Sequence, residues 1–165
     1  MKTKIPFILP LLLLALTACQ TESAASPEAD NSQDPALGKF IGMVVEKSQK
    51  SGYQFESRMQ FPAVWLFNKD GKLVAQLTEA SPLPQALPAA ASNAMPISLL
   101  QESWAALSQQ PFPTFEQGKE VAVFISTFKT GCESNDTCTQ VKQRFDALQT
   151  GALTVPGITL HVAPK

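Results

Sequence analysis

Two cysteines six positions apart, in TGCESNDTCTQ at residues 130–140, are the residues of this chain whose type and spacing could carry chemistry. Such a pair can be a redox couple, two of the four ligands of a metal clip, or a staple. Exchange chemistry needs an accessible thiolate favoured by a helix N-terminus, with a resolving partner close by. Cys138 has that helix start: Asn135, Asp136 or Thr137 offers a capping oxygen, and Cys138, Val141, Phe145 and Leu148 follow on one stripe. The stripe also buries Cys138, and the polar ESNDT spacer replaces a tight turn, so the pattern favours a static bridge, with a redox pair as the alternative. A loop this short adds about 2 to 3 kcal/mol in the chain-entropy model. A metal site needs two further ligands, and His161, the one histidine, is the only obvious nitrogen donor. Any Ser-His-Asp or Cys-His catalysis would also have to use His161, and no G-x-S-x-G accompanies it. On the polar side of a C-terminal strand it reads as an exposed structural histidine.

The elements that must position the cysteines are legible from periodicity. VAVFIST (121–127) is a continuous apolar run, of the kind buried on both faces and therefore central in a sheet. A helix follows to Gly151, and then GITLHVA (157–163), with Ile158, Leu160 and Val162 alternating against Thr159 and His161. Upstream, AVWLF (63–67) and KLVAQL (72–77) flank Asn68-Lys69-Asp70-Gly71, a hairpin turn. Pro96 precedes a helix over 97–109 with Ile97, Leu100, Trp104 and Leu107 at three- and four-residue steps. Asp34-Pro35 enters a helix over 35–50, although Gly38 and Gly42 disfavour helix and FIGMVV could equally be an extended run. A helix, a hairpin, then helix, strand, helix, strand make a single layered α/β sandwich with a βαβ-like C-terminal half.

Two segments stand outside these elements. SPLPQALPAAASNAMP (81–96) has four prolines and no charge, and is far longer than an ordinary connection. Its apolar side chains either seal the domain's own core or dock on a partner. PFPTF (111–115) offers Phe112 and Phe115 for the same two uses.

The N-terminus sets the address. MKTKIPFILPLLLLALTACQ has Lys2 and Lys4 before an apolar run from Ile5 to Leu16, too short to span a ~30 Å hydrocarbon core and interrupted by Pro6 and Pro10. Residues 1–18 therefore read as a signal peptide. The closing LTAC, residues 16–19, resembles the lipobox of bacterial lipoproteins. The resemblance implies that Cys19 is acylated, palmitate included, and becomes the new N-terminus, and that Gln20 directs the protein to the outer membrane, facing the periplasm. Several acyl chains hold a protein at a bilayer because each buried CH₂ contributes about 0.8 kcal/mol. No cofactor other than this covalent lipid is expected.

Removing residues 1–18 takes away two lysines and no acid, which leaves 11 basic and 14 acidic residues, a formal −3. That excludes a nucleic-acid footprint. Residues 19–34, with Glu22, Glu28, Asp30 and Asp34 and no large apolar side chain, read as an acidic flexible tether reaching on the order of 20 Å. The folded body, 35–165, is nearly neutral at +1. With Cys19 lipidated, two thiols remain in an oxidising compartment, and Cys132 pairs with Cys138.

Within the body, FPAVWLFNKDGKLV (61–74) resembles the second half of a thioredoxin-like domain, in which a cis-proline precedes a strand and a Lys-Asp-Gly hairpin. VAVFISTFKTGCESNDTCTQVKQRF (121–145) resembles that fold's first half, a central strand leading to a cysteine-bearing helix. The halves stand in reversed order, and the spacing is C-x5-C instead of C-x-x-C. The resemblance implies a thiol-disulfide oxidoreductase using Cys132 or Cys138, with Pro62 opposite. The residues by themselves favour a non-enzymatic binding module of the envelope that meets a protein or envelope component through the proline-rich loop and the aromatic segment. A ligand carrier would need a sizeable apolar pocket. Replacing Cys19 (Cys19→Ala) is expected to abolish palmitate labelling and to move the protein from the membrane to the soluble fraction on cell fractionation.

Overall fold

Asn68 closes the turn that organises the first half of the molecule. Its side-chain Oδ1 accepts from the backbone N–H of Asp70 (3.0 Å) and of Lys72 (2.9 Å), while Gly71 takes the left-handed φ of +68° that suits glycine. The turn joins β1 (Ala63–Phe67) to β2 (Leu73–Leu77) as an antiparallel hairpin. The computed structural model describes residues 35–55, 60–127, 132 and 135–162. The expected signal peptide, Cys19 and the tether lie outside the described residues. The remaining elements are α1 (Pro35–Lys50), α2 (Ile97–Leu107), β3 (Val121–Ser126), α3 (Asp136–Thr150) and β4 (Gly157–His161). No helix among the described residues is long and apolar enough to cross a membrane.

The four strands lie in the order β2-β1-β3-β4, with β1 antiparallel and β4 parallel to β3. This is the mixed sheet of a layered α/β fold. Every residue of β1 and β3 is buried, because each strand is covered on both faces. Odd-numbered positions (Ala63, Trp65, Phe67; Val121, Val123, Ile125) join Leu37, Phe40 and Val44 of α1 and Leu100 and Trp104 of α2. Even-numbered ones (Val64, Leu66; Ala122, Phe124) meet Cys138, Val141, Phe145 and Leu148 of α3. The two-residue period of the strands thus splits the core into two halves.

The ambiguous segment 35–50 is helical from end to end. Gly38 and Gly42 are exposed, and nothing would meet a Cβ at either, so they sit on the solvent face while Leu37, Phe40, Val44 and Ser48 point inward. Burial of that stripe outweighs the roughly 1 kcal/mol that each glycine costs a helix. The helix ends where Gly52 turns at φ +72° and Tyr53 N–H donates to the Ser48 carbonyl. Helix α2 stops two residues short of the expected 109: Ser108 N–H closes on the Trp104 carbonyl, and the Trp104 indole N–H reaches the Gln110 carbonyl at 2.9 Å.

The C-terminal end of the proline-rich connection is stitched to the body. Leu73 N–H donates to Met95 O, Ile97 N–H to Gly71 O and Gln54 N–H to Asn93 O, so residues 93–97 lie along the outer edge of β2. Met95 and Ala94 are buried, and Leu87 packs on the α3 face, while Leu83 is exposed. Phe112 and Phe115 are half-buried against the α1–α2 core, edge to face with centroids 6.3 Å apart. At the far side, Arg144 of α3 donates to the carbonyls of Thr78 and Glu79 and fastens the end of β2 to that helix.

Helix α3 approaches the start of β4 so closely that a Cβ at Gly157 would lie 2.5 Å from Phe145 Cζ. Phe145 cannot retreat freely, because it is buried and packed on Phe124 with centroids 5.5 Å apart. A Gly157→Ala substitution is therefore expected to destabilise the fold by about 1 to 3 kcal/mol, as overpacked cores do, read as a lower urea midpoint with an unchanged slope.

Candidate functional site

The C-terminal end of β3 is where the chain's chemistry collects. Ser126 closes the strand, and beyond it Cys132 and Cys138 are joined as a disulfide with their Cα atoms 5.0 Å apart. Cys138 occupies the first turn of α3. Asn135 caps that turn, its Oδ1 accepting the Cys138 N–H at 2.7 Å, and Asn135 N–H donates to the Cys132 carbonyl at 3.1 Å. Thr139 Oγ1 lies 3.2 Å from that same carbonyl and 3.0 Å from the Asn135 carbonyl. Cap and turn together hold Cys132 over the end of the helix. Of the three capping candidates in the sequence, Asn135 is the one used, because its extended backbone (φ −128°) lets the side chain fold back onto the orphan amide.

The two cysteines differ in burial. Cys138 is 0% exposed and packs with Val141, Phe145 and the underside of β1 and β3, whereas Cys132 is 9% exposed. A thiolate formed at the first turn of α3 faces the positive end of a helix, which is worth about 0.3 to 1 kcal/mol to a negative charge at a surface and up to ~2 when partly buried.

Strand pairing brings three further residues to the same end. The β1–β3 register pairs Ala63 with Ile125, so continuing it by one residue sets Pro62 opposite Ser126; the Phe61-Pro62 bond is cis. On the other side Ser126 pairs with His161 of β4. The Ser126 hydroxyl, itself buried, lies 3.9 Å from Cys138 Sγ. The thioredoxin-like resemblance names Pro62 and does not name Ser126, although the sequence carries a signal for it: a hydroxyl at the end of an otherwise apolar strand, in the even-numbered register that faces the cysteine helix.

His161 departs from the expectation of an exposed histidine. It is half-buried and both ring nitrogens are shielded from solvent; its pairing with Ser126 puts it on the sheet face opposite Leu160 and Val162, which pack with α1 and α2. It borders a groove of about 760 Å³ whose wall includes Pro35, Lys39, Phe40, Trp104, Leu107 and Val162. Among the described residues, no group of three or more His, Cys, Asp or Glu side chains is placed to hold a metal ion. Away from this end, on exposed α1, the Lys50 ammonium bonded to Glu46 holds that carboxyl below its usual range through the hydrogen bond first and charge attraction second.

Compared with known proteins, the chain matches no family model, no curated protein and no solved structure. Removing the cap with Asn135→Ala is expected to cost the oxidised protein about 1 kcal/mol, while Asn135→Asp retains most of the stability; urea denaturation of the two variants measures both.

Proposed function

We propose that this protein is a lipid-anchored, periplasm-facing component of the cell envelope whose Cys132–Cys138 pair exchanges with the thiols of client proteins. The observation that carries the reading is the placement of the pair. It lies at the junction of the central strand β3 and the first turn of α3, with Cys132 the less buried cysteine and Pro62 just before the neighbouring strand β1. The body is read as thioredoxin-like with its halves exchanged in chain order. Supporting this, the hairpin that follows Pro62 and the strand-helix-strand unit that carries the cysteines lie edge to edge, β1 against β3. A sheet records which strands are neighbours and not which came first, so the exchanged order is compatible with the same site. The C-x5-C spacing puts a longer turn between the sulfurs, and the Asn135 cap closes it.

A second reading is favoured by one observation, the complete burial of Cys138. In it the disulfide is a staple, and the anchored body is a non-enzymatic binding module. The inward packing of Met95, Leu87, Phe112 and Phe115 leaves less of the proline-rich loop and the aromatic segment for a partner, so the groove beside His161 becomes its candidate surface. A glutathione-redox titration of the full-length protein in detergent, with thiol trapping, separates the two. Exchange predicts a potential of roughly −250 to −100 mV, whereas a value below about −300 mV is that of a structural bridge and overturns the exchange reading.

A further inference from the structure

Cys138 Sγ has a polar neighbour in the layer between β3 and α3. Even-numbered β3 side chains facing α3 are Ala122, Phe124 and Ser126, and the helix supplies Val141, Phe145 and Leu148. Ser126 is 2% exposed and its Oγ stands 3.9 Å from Cys138 Sγ, within reach of a hydrogen bond to sulfur. A serine hydroxyl can donate or accept, and what it does toward sulfur depends on the sulfur's state. A disulfide sulfur is a weak acceptor. A thiolate is a strong one, and hydrogen bonds to charged groups are worth about twice those between neutral groups.

We infer that Ser126 tunes the exchange reaction by donating its hydroxyl proton to Cys138 Sγ when that sulfur leaves as a thiolate. The inference rests on the exchange reading above. In the step concerned, a client thiolate attacks Sγ of Cys132, the less buried cysteine. A client–Cys132 disulfide forms, the Cys132–Cys138 bond breaks, and its electron pair stays on Cys138 Sγ, which remains a thiolate accepting the Ser126 hydroxyl. A second client thiolate attacks the client sulfur of the mixed disulfide, and Cys132 departs with the electron pair and takes up a proton. The client dithiol is oxidised by two electrons, the protein disulfide is reduced to a Cys132 thiol and a Cys138 thiolate, and the second client proton goes to solvent. Ser126 makes its stronger bond to this thiolate, so it shifts the equilibrium toward the reduced pair and speeds departure of Cys138. The residue does this from β3, without contacting the client.

The test compares wild type, Ser126→Ala and Ser126→Thr as full-length proteins in detergent, measuring the equilibrium with glutathione, the rate of oxidation of a dithiol peptide, and the melting temperature of the oxidised form. Ser126→Ala is expected to shift the glutathione equilibrium about tenfold toward the disulfide, about 30 mV, and to slow peptide oxidation by a similar factor, while Ser126→Thr, which keeps the hydroxyl, stays within about twofold of wild type. An alanine variant that melts lower yet keeps its equilibrium and rate within twofold shows a merely structural serine and overturns the inference. A wild-type pair that neither equilibrates with glutathione nor oxidises the peptide overturns the exchange reading, and this inference with it.

Discussion

Strand β3 cannot be solvated on either face, and the rest of the structure follows from that constraint. All six residues from Val121 to Ser126 are buried, so both edges of the strand must be paired and both faces must be covered. The hairpin strand β1 takes one edge and β4 the other. Helices α1 and α2 cover one face and α3 the second. Remove any one of these layers and backbone or apolar surface of β3 would face water. The helix that covers the second face is the one that begins with the cysteines, so the requirement to bury β3 is also what carries Cys138 beneath the sheet.

That coupling between core and chemistry explains the character of the site. Cys138 and Ser126 belong to the same packed layer as Phe124, Val141 and Phe145, so their geometry is held by side-chain packing. Cys132 lies at the edge of that layer, tied to the helix through its carbonyl, and is the less buried of the two. An exchange reaction would start from that cysteine. The same arrangement also suits a bridge meant to stay closed. Structure and chemistry are balanced here by how readily the pair accepts electrons, a property of the reduced state as much as of the oxidised one.

The segments outside the regular elements also serve the domain's own core. A long uncharged connection with four prolines looks available, yet its C-terminal part lies along the outer edge of β2, with Met95 sealed beneath it. Edge strands left open invite pairing with other chains, and covering one with a loop is a common remedy. Phe112 and Phe115 close the core in a similar way, and the groove beside His161 is formed by the ends of α1, α2 and β4.

The sequence by itself determined the local pieces. Asn68-Lys69-Asp70-Gly71 is a turn because an Asx side chain and a glycine satisfy and bend the backbone in place, and the apolar run of β3, the stripe of α3 and its capping residues are equally local. Even the exposed glycines of α1 obey the period of its buried stripe. Tertiary structure decided what lies next to what. Order in the sheet placed β3 between β1 and β4, and only that pairing sets Pro62 and His161 on either side of Ser126. The burial of the His161 ring nitrogens depends on what folds over the Ser126 end of the sheet, and no periodicity within β4 encodes it. Ser126 acquires a role only through the 3.9 Å approach of a helix packed across the strand, because the reactivity of a sulfur depends on neighbours that the chain brings together by folding.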